Sequence, residues 1–341
     1  MPSIFFEDFI PGSSAPYGSM TVSREELIGF AREFDPQPMH TDAEAAKHTF
    51  IGQLIASGWG TAALNMRMMC DDFVLKSASM GGPGVEELKW LKPVLPGDTL
   101  SGTRTVLAAK ASSSKPDRGI VKLKTELTNQ RGERVLEQVN VVMIGRRGTE
   151  PVMSPAASRA GRPLVEPPPL TAARPTPFLD DLVPGEPAAV LGSFTFNEAD
   201  ILRFGRAYDP QPFHTDPEAA KAGFFGGLIA SGWHTAGGWM RTMIDFRRRC
   251  ETFARDNGLP CAELGPSPGF RDLRWLLPVY AGDTITYTTA IASARPSASR
   301  PGWGLATQHN TGTNQYGDKV FEFTGAVLWQ RRPELATSGD H

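Results

Sequence analysis

The sequence predicts an α+β chain made of two copies of one domain, each a curved antiparallel sheet wrapped around a long central helix. Three observations predict it. First, the chain repeats itself: "FFEDFIPG" from Phe5 is matched by "FLDDLVPG" from Phe178, and "DPQPMHTDAEAAK" from Asp35 by "DPQPFHTDPEAAK" from Asp209. Second, each copy holds a segment that is apolar nearly all round, Ser57 to Phe73 and Ser231 to Phe246. A helix of that kind is expected to be enclosed. Third, the apolar period then changes to two, as in Val121, Leu123, Thr125 and Leu127 alternating with Lys122, Lys124 and Glu126.

The repeat also fixes the organisation. The acid-bearing loops are offset by 209 − 35 = 174, whereas "LKWLKPVLPGDTL" from Leu88 and "LRWLLPVYAGDTI" from Leu273 are offset by 273 − 88 = 185. The difference, 185 − 174 = 11, places an insertion in the polar run "FRRRCETFARDNG" of the second copy. Between the copies "MSPAASRAGRPLVEPPPLTAARPTP" lacks periodicity and reads as a semi-extended linker. The domains are therefore set at 1–152 and 177–341, with the Pro/Ala-rich linker at 153–176. The two sheets are expected to pair side by side as a pseudo-dimer, the linker crossing the surface between them.

Within each copy the elements follow from local chemistry. Ser23 with Glu26 forms a capping box, and Asn197 with Asp200 a weaker one. Leu27, Ala31 and Phe34, and Ile201, Phe204 and Tyr208, then fall at helical spacing. Each helix should stop by Asp35 or Asp209, because the residue before a proline is driven out of the α region. Asp42, and Asp216 with Pro217 behind it, start another short helix. After the apolar helix come Leu88 and Trp90, a "PGDT" turn, and long strands closed by "NQRG" or "NQYG" hairpins.

Composition bounds the function. The chain has 341 residues, 40% of them hydrophobic, and a formal charge of −2. Such a charge offers no general attraction to nucleic acid or an anionic membrane. Its three cysteines, Cys70, Cys250 and Cys261, show no paired spacing, so a reduced, cytoplasmic setting is expected. "MPSIFFEDFIPG" carries acids and prolines where a secretory signal needs a basic start and an apolar core, so none is expected there, and the most apolar stretch is interrupted by Asn65 and Arg67.

The repeated loop is the candidate site. As a turn kept only for folding, Asp followed by Pro would be ordinary. Both copies, however, keep the acid, both prolines, Gln37 or Gln211, and His40 or His214. Pro36 and Pro38 fix φ between Asp35 and His40, so the carboxylate and imidazole are held with little freedom. General acid–base work needs such a pair fixed around one water. Gly58 and Gly232, at the start of the central helices, offer free backbone N–H groups and a helix dipole to an oxyanion. Together these groups suit addition of water to an α,β-unsaturated thioester, or its removal.

"DPQPMH…LIASGW" and "DPQPFH…LIASGW" resemble the MaoC-like dehydratases, the (R)-specific enoyl-CoA hydratase family, whose motif is Asp-x-Asn-Pro-x-His followed by an Ile-Ala-His-Gly-like segment. The resemblance covers both copies nearly end to end. It implies a hot-dog fold in each half, with sites where two such units meet. It implies catalytic roles for Asp35, His40, Asp209 and His214, and oxyanion donation by the N–H of Gly58 and Gly232. Glutamine stands at 37 and 211 in place of the usual asparagine, and serine at 57 and 231 in place of histidine. Ser57, Ser231, Trp59, Trp233, Gln37 and Gln211 are the substrate-binding candidates. The expected reaction is hydration of enoyl-CoA or dehydration of (R)-3-hydroxyacyl-CoA. No cofactor is expected, coenzyme A being part of the acyl-CoA substrate.

Other features are weaker. His40, Asp42 and His48 could be drawn as metal ligands, but Ala222 stands at the second copy's position 48, and no metal is expected. Lys115, Arg118 and Arg300 could meet coenzyme A phosphates or be ordinary solvated charges. His234 replaces Gly60 and could make the halves unequal. The rivals are an acyl-CoA thioesterase of the same fold and a non-catalytic acyl-CoA-binding or assembly protein; the chain could also pair as a homodimer.

Overall fold

The computed structural model of the chain describes residues 2–150, 159 and 161–333. The first half runs β1 (Ser14–Thr21), α1 (Arg24–Phe34), the single turns α2 (Pro38–Thr41) and α3 (Ala43–Ala46), then the central α4 (Gly58–Met69). Strands β2 (Gly84–Trp90), β3 (Thr99–Ala111), β4 (Arg118–Asn129) and β5 (Arg134–Gly145) complete it. The second half repeats that order as β6 (Ala189–Phe196), α5 (Glu198–Tyr208), α6 (Pro212–Thr215), α7 (Pro217–Ala222) and the central α8 (Gly232–Asp256). It ends in β7 (Gly269–Trp275), β8 (Asp283–Pro296), β9 (Trp303–Asn314) and β10 (Lys319–Gln330).

The caps form as expected. Ser23 Oγ accepts from Glu26 N and Glu26 Oε2 from Ser23 N, each at 3.1 Å. This reciprocal pair holds α1 in register before its apolar face begins. Asn197 Oδ1 accepts from Asp200 N at 2.9 Å at the start of α5. Both helices end at the residue before Asp-Pro.

Ten strands form one antiparallel sheet in the order β1-β3-β4-β5-β2-β7-β10-β9-β8-β6. The halves join where β2 pairs with β7, Val85 opposite Leu273 and Leu88 opposite Phe270. A Cβ on Gly84 would lie 2.1 Å from Leu273 O, and one on Gly269 2.0 Å from Leu88 O, so the seam closes only with glycine at both places. This is the double hot-dog architecture: each half's sheet curls around its own central helix, and the two sheets continue into one. The core is likewise shared. Phe30 meets Tyr208 edge-on at 5.6 Å and Phe34 meets Phe204 at 5.5 Å. Through these edge-to-face contacts α1 and α5 pack against each other across the pseudo-twofold.

Three features beyond the sequence reading have local causes. The proline-rich loop is partly helical, because Pro38 and Pro212 sit at the first position of α2 and α6, where their missing N–H costs nothing. The two central helices differ in length: α4 closes in a π turn at Cys70–Val74, whereas α8 runs through the insertion to Asp256, beyond the expected Phe246. The outer strands β1 and β6 carry no clear alternation. Edge strands tolerate that; β1 also holds Pro16, and its register shifts at Gly18, between Tyr17 and Ser19. Of the linker, 161–176 is extended against the second half, with Val165 N donating to Gln315 O at 2.9 Å. Positions 153–158 and 160 lie outside the described residues.

Candidate functional site

Each acid leaves its helix at the Asp-Pro step and turns inward; Asp35 is 2% exposed and Asp209 4%. The following helical turn brings the histidine back over the carboxylate. His40 Nε2 lies 3.5 Å from Asp35 Oδ2, and His214 Nε2 lies 3.3 Å from Asp209 Oδ2. In both halves Nδ1 faces a backbone carbonyl, Ile55 O at 3.0 Å and Ile229 O at 2.8 Å. A carbonyl only accepts, so Nδ1 carries the proton and Nε2 is the nitrogen that exchanges one.

The remaining carboxylate lone pairs are also engaged. Ser57 Oγ donates to Asp35 Oδ2 at 2.6 Å and Gln37 Nε2 to Oδ1 at 2.8 Å. Ser231 Oγ and Gln211 Nε2 do the same for Asp209, at 2.7 and 2.9 Å. Burial alone would raise the Asp209 carboxyl, but the His214 charge and hydrogen bonds from His214, Ser231 and Gln211 outweigh it and hold it below its ordinary value.

The pairs open into two cavities. Asp35, Gln37, His40, Gly58 and Trp59 line one of about 870 Å³, and Asp209, Gln211, His214, Gly232 and Trp233 line one of about 610 Å³. Each cavity is walled by the opposite half. Trp239, Met240 and Phe323 face the Asp35 pair, and Met66, Met69 and Phe73 face the Asp209 pair. Neither half holds a complete site alone.

The opposite half also positions each loop. Arg67 of α4 donates to Arg206 O and Ala207 O at 2.8 and 3.2 Å, at the C-terminal end of α5 just before Asp209. Arg241 of α8 reciprocates on Arg32 O and Glu33 O, at 3.4 and 3.2 Å. Ser79 Oγ donates to Gln211 Oε1 at 2.8 Å, again across the halves.

Several candidates take a different place from the one expected. Ser57 and Ser231, each 1% exposed, sit behind the carboxylates and bond to them; they are not on the cavity walls. Gly58 and Gly232 stand at the first position of α4 and α8, where the backbone N–H has no partner within the helix. Their lack of a side chain has a packing cause as well. A Cβ would lie 2.5 Å from the Trp90 indole or 2.3 Å from that of Trp275, and each indole N–H donates to the glycine carbonyl at 2.9 Å. Trp59 lines its cavity and also stacks on Phe270 at 5.0 Å.

His234 is fully buried outside both cavities, stacked on Phe204 at 4.6 Å, and its ring nitrogens meet no polar partner. Burial drives it down to about 3, so it is a neutral core ring near neutral pH. Asp42 is occupied in capping α3, accepting from Glu44 N and Ala45 N at 2.8 and 2.9 Å. Among the described residues no cluster of three or more His, Cys, Asp or Glu could hold a metal, and no helix is long and apolar enough to cross a membrane. Two neighbours of the pairs escaped sequence reading. Cys70 Sγ donates to Asp209 Oδ1 at 3.5 Å, a thiol that burial pushes up, and Arg247 lines the Asp35 cavity.

Known proteins resemble all or part of the chain. An (R)-specific enoyl-CoA hydratase of Rhodospirillum rubrum is 29% identical over 149 residues, 42% of this chain and 94% of that one. A mesaconyl-CoA hydratase of Cereibacter sphaeroides is 46% identical over 66 residues, 19% of each chain. Among solved structures, a putative MaoC domain protein dehydratase from Chloroflexus aurantiacus superposes with a TM-score of 0.77 at 20% identity, covering 97% of this chain and 99% of that one. A Mycobacterium tuberculosis protein described as a double hot-dog fold gives 0.66 at 15% identity, covering 95% and 98%. The MaoC-like domain matches twice, at residues 11–128 and 181–300. With both of its halves matched, the chain belongs to the MaoC-like dehydratase family.

Proposed function

We propose that the chain adds water to enoyl-CoA thioesters, or removes it from (R)-3-hydroxyacyl-CoA, at both Asp–His pairs. The observation that carries this reading is the shared proton inventory of each pair. Nδ1 is committed to a carbonyl, while Nε2 and a carboxylate oxygen lie 3.5 or 3.3 Å apart at a cavity wall. A water on the cavity side, bonded to both, gives up its proton to one of the two as its oxygen bonds to the β-carbon. The double-bond electrons move toward the thioester oxygen, which the N–H of Gly58 or Gly232 receives, and the α-carbon then takes a proton back from the pair. Water is consumed and no group is left on the protein. The exposed Arg295 and Arg300 border the Asp35 cavity and suit coenzyme A phosphates at its mouth.

The test is silencing by halves. Asp35→Asn with His40→Ala, and Asp209→Asn with His214→Ala, should each leave partial hydration, measured as loss of the conjugated enoyl absorbance. All four changes should abolish it, since a positioned acid–base group is worth about 10²–10⁴ in rate. Residual hydration in the quadruple variant refutes the assignment. Release of free thiol would instead show a thioesterase, and unchanged acyl-CoA binding without turnover a binding protein.

A further inference from the structure

The two cavities follow one plan, but at one pair of matching positions a cation stands where the other has an aromatic ring. The cations of the Asp209 cavity are otherwise engaged: Arg118, Arg159 and Arg162 are ion-paired with Asp117, Asp283 and Asp318, and Lys115 is exposed. Phe73 follows α4, and the offset of the acid-bearing loops, 247 − 73 = 174, makes Arg247 of α8 its counterpart. Phe73 lines the Asp209 cavity and Arg247 the Asp35 cavity. A second exchange lies alongside: Leu123 of the Asp209 cavity is replaced in the Asp35 cavity by Gln308, at the strand offset 308 − 123 = 185. Asn310, next inward on the same face of β9, is 1% exposed and lines that cavity with its side-chain oxygen unpartnered.

Arg247 is the unmatched member of its group. Arg241 pairs with Asp245 and holds the end of α1, Arg248 donates to Pro36 O, and Arg249 donates to Leu191 O at 2.8 Å. Among the described residues, Arg247, itself partly buried, has neither a hydrogen-bond acceptor nor a carboxylate within ion-pair range. Burial lowers its basicity, while the nearby Asp35 and Glu251 charges act in the opposite direction. Withdrawing such a group from water costs free energy that an anionic partner in the cavity recovers. Coenzyme A phosphates do not fit that part: Arg247 lines the same cavity as Asp35, its neighbour Arg248 bonds to Pro36 O beside that acid, and the pantetheine arm keeps the phosphates far from the reacting carbons.

We propose that the Asp35 cavity selects acyl thioesters bearing a carboxylate close beyond the reacting carbons, with Arg247 as the carboxylate anchor, whereas the Asp209 cavity takes uncharged acyl groups. The site comes from the hydratase reading, but the anchor can be tested without turnover. Succinyl-CoA and butyryl-CoA differ by a terminal carboxylate in place of a methyl, and their binding is measured by calorimetry on the full chain. One of the two sites should favour succinyl-CoA by about tenfold or more, as expected for a charge-assisted contact. Arg247→Gln should remove that preference and Arg247→Lys should keep part of it.

The kinetic arm uses the chain with Asp209→Asn and His214→Ala, so that only the Asp35 site turns over. There, kcat/KM for fumaryl-CoA relative to crotonyl-CoA should fall about tenfold or more on Arg247→Gln, mainly through KM. Equal binding of the two thioesters by the unaltered protein overturns the proposal whether or not the chain is a hydratase. So does an equal fall in kcat for both enoyl substrates, which would make Arg247 a positioning residue for Asp35. Selective binding that Arg247→Gln abolishes, with no turnover of either enoyl thioester, upholds the anchor and refutes the hydratase.

Discussion

His234 makes stability depend on pH in a way that can be worked out from its surroundings. The ring is fully buried among Phe34, Phe194, Phe196 and Phe204, and neither nitrogen has a polar partner. Its folded value is about 3 against an ordinary 6.5. Because the folded value is depressed, the unfolded chain binds the proton first as pH falls. Stability is therefore complete above 6.5, drains away as pH drops toward about 3, and levels off below that. Each unit of difference is worth about 1.4 kcal/mol, so acidification from about pH 8 to about pH 5 should cost about 2 kcal/mol at this residue alone. His234→Phe keeps an aromatic ring in the cage and removes the titration. At high pH it should be close to neutral, since an apolar ring replaces polar atoms that lack partners. Urea unfolding of both proteins at the two pH values measures the effect, and comparing only their pH dependences cancels any constant packing cost of the larger ring. By the same linkage, the unaltered protein should lose about 2 kcal/mol more than the variant. Equal losses would refute the argument, showing that His234 titrates alike folded and unfolded.

Two further outcomes follow from the geometry around the pairs. Gly232→Ala drives a Cβ to within 2.3 Å of the Trp275 indole. Such overpacking should lower stability by about 1–3 kcal/mol. Adding Trp275→Leu should recover part of that loss in a double-mutant cycle, and strict additivity would refute the steric cause. Arg67→Met and Arg241→Met should act crosswise: the first should slow the Asp209 site and the second the Asp35 site, each read with the other pair silenced. Each should cost about 1 kcal/mol in unfolding, since these carbonyl contacts are partly open to water. A variant that impaired the site in its own half would refute the cross-clamping.

Much of this protein was legible in the sequence because its signals are short-range. Caps at Ser23 and Asn197, the stop at each Asp-Pro step, and the polar-out alternation of β4 all arise from neighbours a few residues apart, and the duplication lets each half check the other. The acid and the histidine were legible for the same reason: a short loop stiffened by two prolines separates them and returns one to the other. What the tertiary structure decided depends on contacts between distant parts of the chain. The glycines that read as oxyanion donors also make room for indoles 32 and 43 residues further on. The serines that read as substrate contacts turn instead to carboxylates 22 residues earlier. His234, which read as a difference between two sites, is a core ring because four phenylalanines from both halves converge on it. Above all, the opposite half completes each cavity, so whether position 73 or its counterpart 247 shares a cavity with a given acid follows from how the halves join. A residue pattern records periodicity and local stiffness; it does not record which surface a folded half will turn toward its twin.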